Sequence, residues 1–366
     1  MSFESGSISC RMFYLPQPLP DNALALFRAR MVPPLDTLGE NQLHGWVGGR
    51  HLLDRTLDET SAFFAGYLRI ALMCAEKKIP ESLLRAQCRM DEIAHLRASG
   101  QAEVDRKTRS RIRKENIDRL LPSMPPQLKG MTLIHKPGSP LLFAEAISDS
   151  QLEVLQAHFR ETIGFNLAPI DPMTAAAHRL HLDLRPLKPS SFSPECDDED
   201  ADAGPGRDFL TWLWFFSEAR GGLARFPDLG EFGVALDGTL TFFKEGDGAH
   251  ETVLRHGNPL LSAEAKTALL SGKKLRRASL IIARQKESWH FTLDADTFSL
   301  RGLKLPEIEK VDAAAHFQER MIALQTLHDA LLSFYDRFVK ERNAPAAWTK
   351  TRSEIHQWVA DRATRK

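Results

Sequence analysis

The sequence is poor in the features that announce most function classes. Its 48 Lys and Arg are matched by 48 Asp and Glu, so no global basic excess speaks for a polyanionic partner, and segregation of charge has to be sought locally. Four cysteines, Cys10, Cys74, Cys88 and Cys196, lack the close spacing of a zinc knuckle. They suggest no disulfide framework, which fits a reducing compartment. No apolar run reaches the roughly 18 residues that a spanning helix needs. The opening Met1-Ser2-Phe3-Glu4-Ser5-Gly6 has no basic head leading into an apolar stretch, so no secretory signal is read and the cytoplasm is expected. Phosphate loops are missing too: Gly45-Trp46-Val47-Gly48-Gly49 lacks the Lys-Ser/Thr ending and reads as a turn leaving a strand.

What is present is a chain of 366 residues, 43% apolar, enough for two or three domains of about 100–200 residues. Strands are expected at Ile8–Leu15, Tyr67–Ala75, Met131–His135, Leu141–Ala146, Arg277–Ala283 and Trp289–Leu293. The unbroken apolar run Phe209–Phe216 reads as a central strand. Asp237-Gly238 between Phe232–Leu236 and Thr239–Phe243 reads as a hairpin turn. Helices are expected from Asp21 or Asn22 to Arg30, over Ser148–Ile163 and over Ser262–Leu270, with a long one bearing the apolar stripe Phe317 to Phe338. A helix pair follows Pro80. Leu83, Ala86, Met90 and Ile93 mark the apolar face of its first member, and the second runs from about Ala102 to Leu121.

This gives an α+β class, with mixed or antiparallel sheets, in six stretches. These are an N-terminal region (1–76), the helix pair (77–130), a continuation (131–194), an acidic linker (195–206), a C-terminal region with the long helix (207–342) and a helical tail (343–366). The linker carries Glu195, Asp197, Asp198, Glu199, Asp200 and Asp202 without a base.

Charge does segregate locally. Between Arg106 and Arg119 stand seven bases, Arg106, Lys107, Arg109, Arg111, Arg113, Lys114 and Arg119, against Glu115 and Asp118. Helical spacing puts Arg106, Arg109 and Arg113 on one face, with Ile117 and Leu120 continuing the row. Such a row can meet successive phosphates without reading bases, or it can be a solvated helix face. A second run, Lys266 to Lys286, holds Lys273, Lys274, Arg276 and Arg277 and no acid until Glu287. Part of it can serve a helix C-terminus. Two such runs favour a phosphate backbone as partner.

Catalytic signals are weak. His178, His181 and Asp183 can be read as metal ligands, but their spacing is no ligand signature, and both histidines are expected to be dispensable for DNA binding. Trp212 and Trp214 can stack on bases, although the apolar run around them reads as core. No catalytic residue, metal or cofactor is assigned.

The order of these segments resembles the recombination-associated RdgC proteins of bacteria. Ile79-Pro80 through Leu120-Leu121-Pro122 is similar to that family's helical finger, Gly45-Trp46-Val47 to its Gly-Trp-Val turn, Gly272-Lys273 and Arg277 to its basic lead into a strand, and Asp312–Phe338 to its C-terminal helix. Ser123-Met124-Pro125-Pro126 departs from it, standing where the family carries phenylalanines and a base near the finger tip. The resemblance implies a projecting finger and a ring-shaped homodimer with a positive hole. It implies binding of single- and double-stranded DNA without sequence preference, and restraint of RecA by occupying DNA, in the cytoplasm at the nucleoid, without catalysis or cofactor. Alternatives from other classes are a metal-dependent nuclease and a scaffold for an acidic protein partner.

Overall fold

A computed structural model describes residues 2–39, 42–201, 204–246, 250–308 and 312–362. The first half contains β1 (Ile8–Tyr14), α1 (Ala23–Ala29), β2 (Leu43–Gly48), α2 (Glu59–Ala62), β3 (Phe63–Phe64), β4 (Tyr67–Lys77), α3 (Glu81–Ser99), α4 (Arg106–Leu120), β5 (Pro126–His135), β6 (Leu141–Ala144), α5 (Asp149–Ile163), β7 (Ala168–Pro169) and α6 (Pro172–Leu180). The second half contains α7 (Pro205–Ala219), β8 (Leu223–Phe226), β9 (Gly230–Phe243), β10 (Glu251–Leu254), α8 (Ala263–Leu270), β11 (Lys274–Arg284), β12 (Glu287–Asp294), β13 (Leu300–Lys304), α9 (Ala313–Arg342) and α10 (Pro345–Asp361).

Mixed helix and antiparallel sheet is therefore the observed class. The strands follow the order β10-β9-β11-β12-β13-β1-β6-β5-β4-β2. β1 is the seam: Ile8 and Cys10 pair with β13, and Arg11 to Tyr14 pair with β6. One strand thus belongs to the ladders of both halves.

Several elements form where their local chemistry places them. Ser148 caps α5 in a reciprocal box with Gln151, and Gly164 closes it at φ 95°. Ser262 caps α8 through the Ala265 N–H. The stripe Phe317 to Phe338 lies on α9 and is consumed by the chain's own core. So are Trp212 and Trp214. These apolar groups are packed within one chain and are not the surface of an interface.

Four local readings are corrected. Phe209–Phe216 is helical, not a strand: every residue of it is buried within α7, between the sheet and α9. An apolar run without period fits either state, and Pro205 at the first turn decides for a helix. Gly206 allows the approach, since a Cβ there would stand 1.9 Å from the Ala295 carbonyl oxygen. Asp237-Gly238 makes no hairpin. β9 runs straight through it, and Leu236 and Leu240 pair with Leu280 and Ala278, so the extra residues bulge out with Gly238 at φ 82°. Gly45 to Gly48 are strand, not turn; a Cβ on Gly45 would come within 2.4 Å of the Val32 backbone. Finally, Leu83, Ala86, Met90 and Ile93 form the exposed face of α3, whose buried residues are Leu84 and Glu92.

Lys77 pairs with Pro126 at the end of the β4–β5 ladder. Everything between them, α3 and α4 included, leaves and re-enters the sheet at one point. Ser123-Met124-Pro125-Pro126 lies at this root, where the Lys77 ammonium donates to the Pro122 carbonyl at 2.9 Å. It is not at the far turn, Gly100 to Asp105.

Candidate nucleic-acid interface

α4 begins at Asp105, whose carboxylate accepts from the Lys107 and Thr108 N–H groups. The Thr108 hydroxyl and these amides hold that carboxyl below its ordinary range. The helix then places Arg106 and Lys107 in its first turn, the positive end of the macrodipole. Cations there cost about 0.3–1 kcal/mol each, so helix stability does not account for them.

The seam between α3 and α4 is polar. Val104, Ile112 and Leu84 are its buried apolar residues. Beside them Glu92 receives Arg89 and Arg109, both at 3.3 Å. Asn116 donates to Asp91 at 2.7 Å and to the Ile112 carbonyl at 3.0 Å. Arg113 reaches Glu81 at 3.5 Å, and Arg119 reaches Asp91 at 3.4 Å. The packing face of α4 is thus Ile112 and Asn116, not the expected continuation through Ile117 and Leu120, which are half-buried.

The expected row divides accordingly. Arg109 and Arg113 point at acids of α3, and Arg111 pairs with Glu115 at 2.8 Å. Arg106, Lys107 and Lys114 are exposed and have no carboxylate partner among the described residues. Exposed pairs of this kind are worth about 0–1 kcal/mol, so a phosphate can replace the carboxylate at Arg111 or Arg113.

The second basic segment has another fate. Lys274 is 1% exposed; its ammonium sits 2.5 Å from Asp208 of α7 and lies over the Phe192 ring. It is withdrawn from any surface partner, contrary to the phosphate contact expected of it from the basic run. Arg277 is held by Asp294 at 2.7 Å, Arg276 by Asp296 at 3.3 Å, and Lys273 donates to the Thr252 hydroxyl at 2.7 Å. These bonds are structural: the acids that the segment lacks in sequence arrive from α7, β12 and the turn after it.

His178, His181 and Asp183 do not converge. His178 stacks on Tyr14, His181 closes α6 at φ 54°, and Asp183 is gripped by Arg185 at 2.8 Å. In the acidic stretch Asp198 accepts from the Ser191 N–H at 2.7 Å and pairs with Arg352 of α10. Asp202 lies outside the described residues. Among the described residues no three His, Cys, Asp or Glu side chains gather as a metal-ligand set, and no helix is long and apolar enough to cross a membrane. Sequence reasoning missed the α3 acids that engage the row; their signal is helical pairing, which spacing within one helix does not reveal.

Residues 26–182 match the family model described as "RdgC: Putative exonuclease, RdgC". The match supports an RdgC family assignment. It spans α3 and α4 together with most of the first-half sheet, and it supports a recombination-associated protein. No curated protein matches the chain.

Proposed function

We propose that this RdgC-family chain is a non-catalytic protein that binds single- and double-stranded DNA without sequence preference. It grips phosphates through the helix pair, acts as a ring-shaped homodimer, and modulates recombination by occupying DNA that RecA would otherwise coat. The observation that carries the reading is the set of exposed cations on α4, led by Arg106, Lys107 and Lys114. Arg106 and Lys107 stand in the first turn, where cations destabilise a helix, Lys114 lies two turns further along, and no carboxylate among the described residues answers the three. Phosphate is the ligand that such a row fits. The exposed stripe Leu83, Met90 and Ile93 on the neighbouring helix supports contact with a second copy, because apolar groups clustered on one exposed helix face tend to mark interfaces.

The family description favours a second reading, a nuclease. Labelled duplexes of two unrelated sequences, incubated with the protein and magnesium or manganese, separate the two. Equal binding of both duplexes with intact DNA is the expected result. Metal-dependent shortening of the label would establish the nuclease. Light scattering at micromolar concentration should give twice the chain mass; a monomer would contradict the dimer.

A further inference from the structure

The exposed side of α9 floors a cleft with two lobes. The first, about 680 Å³, lies between α9, α6 and the β5–β6 turn and is mainly apolar, with Tyr14, Tyr67, Phe143 and Met321 in its wall. The second, about 610 Å³, is cationic and holds Arg225 of β8 with Arg337 and Lys340 of α9. Arg179 and Asp329 line both lobes, so the two adjoin along α9. Asp329, Ser333, Asp336 and Lys340 recur at spacings of three and four, which keeps them on one helix face along it.

Each lobe offers a distinct chemistry. In the first, the exposed His178 lies flat on Tyr14, with centroids 3.9 Å apart and planes 16° apart. Burial pushes the Tyr14 phenol up to about 12, which keeps it neutral and leaves a rigid aromatic platform. His328, 3% exposed, joins Asp329 through Nδ1 at 2.7 Å, while its Nε2 is buried with no partner among the described residues. A buried ring nitrogen left this way calls for a hydrogen-bond partner. In the second lobe Arg179 is spent on Asp336, at 2.9 and 2.6 Å. Arg225, Arg337 and Lys340 have no carboxylate partner among the described residues; with Arg179 they face Asp228, Asp329 and Asp336 in this lobe, so the cations exceed the acids by one. Arg337 is steadied over the Phe216 ring at 4.7 Å.

From this pairing we infer that the α9 groove is a nucleotide site, with the base in the lobe of His178 and Tyr14 and the phosphates at Arg225, Arg337 and Lys340. The ligand class follows from an aromatic platform adjoining a cation surplus; neither lobe alone would specify it. The site is separate from α4 and stands whether or not the helix pair holds DNA. A free nucleotide and the phosphorylated end of a strand share this chemistry.

Calorimetric titration of the full chain with dATP tests it, with deoxyadenosine and inorganic tripolyphosphate as half-ligands. dATP should bind at least about tenfold tighter than either half. Arg225→Glu with Lys340→Glu, both exposed, should weaken dATP about tenfold or more. His178→Ala should weaken it about fivefold or more, as for loss of a base-stacking ring. A 5′-phosphorylated deoxyadenosine trinucleotide and its unphosphorylated form then distinguish the sources: tighter binding of the phosphorylated strand than of dATP assigns a strand end, and the reverse assigns a free nucleotide. No heat with millimolar dATP, tripolyphosphate binding as tightly as dATP, or dATP affinity unchanged in both variants would overturn the inference.

Discussion

The segments Arg106–Lys114 and Lys273–Arg277 are alike as sequence and opposite as structure. Both are rich in Lys and Arg, and both adjoin a helix end. In the second, acids distant in sequence come to meet the cations: Asp208 from α7 at Lys274, Asp294 and Asp296 from the far end of β12 and the turn after it at Arg277 and Arg276. The cations become the polar ties of a core. In the first, the acids of α3 reach only part of the row, and Arg106, Lys107 and Lys114 remain in water. Local basic density therefore predicts charge, and the arrival of acids decides whether that charge faces inward or outward.

Substitutions can break this contrast, and the largest effect is expected at the buried pair. Lys274→Met removes the ammonium closest to the almost fully buried Asp208, which also has Arg342 at 3.8 Å. Removing one partner of a buried pair costs about 3–5 kcal/mol. Urea unfolding should show that loss, and a loss below about 1 kcal/mol, the scale of exposed pairs, would place Lys274 with the surface cations after all.

A smaller effect is expected at the half-exposed member. Arg277→Ala strips the guanidinium from Asp294, whose side chain is 5% exposed. About 1–3 kcal/mol of stability should go with it, while DNA affinity stays within twofold. A large drop in affinity with stability intact would return Arg277 to the interface.

The smallest effect sharpens the first segment itself. Glu81→Gln frees Arg113 from its 3.5 Å pair. Duplex affinity at low salt should rise by about two- to fivefold, the scale of an exposed ion pair. No rise in a fluorescence anisotropy titration would mean that Arg113 does not reach DNA.

Much of the fold was legible because local signals and tertiary packing agree. Capped helices such as α5 and α8, and strands bounded by Pro or Gly such as β1, carry their limits in sequence. Phe209–Phe216 was not legible because full burial erases periodicity. Asp237-Gly238 was not, because a bulge and a hairpin turn use the same residues. On α3 the apolar period was real but marks the exposed face, since the buried face of this helix is completed by Glu92 and its arginines. The site was half legible. The row on α4 could be read, whereas the burial of Lys274 depends on Asp208, 66 positions away. The α9 groove left only a polar stripe opposite an apolar one, with Arg225 contributed from another element.

The central claim is that exposed cations on α4 hold phosphates. Duplex affinity measured between about 50 and 200 mM salt, for the native chain and for Arg106→Ala/Lys107→Ala/Lys114→Ala, tests it most directly. Each phosphate contact contributes about −0.9 to the log–log slope, so the triple variant should be shallower by about 2–3 units. Both unrelated sequences should show it equally, with stability changed by no more than about 0.5 kcal/mol. An unchanged slope in a folded triple variant would show that these cations are a solvated face and that the helix pair does not hold DNA.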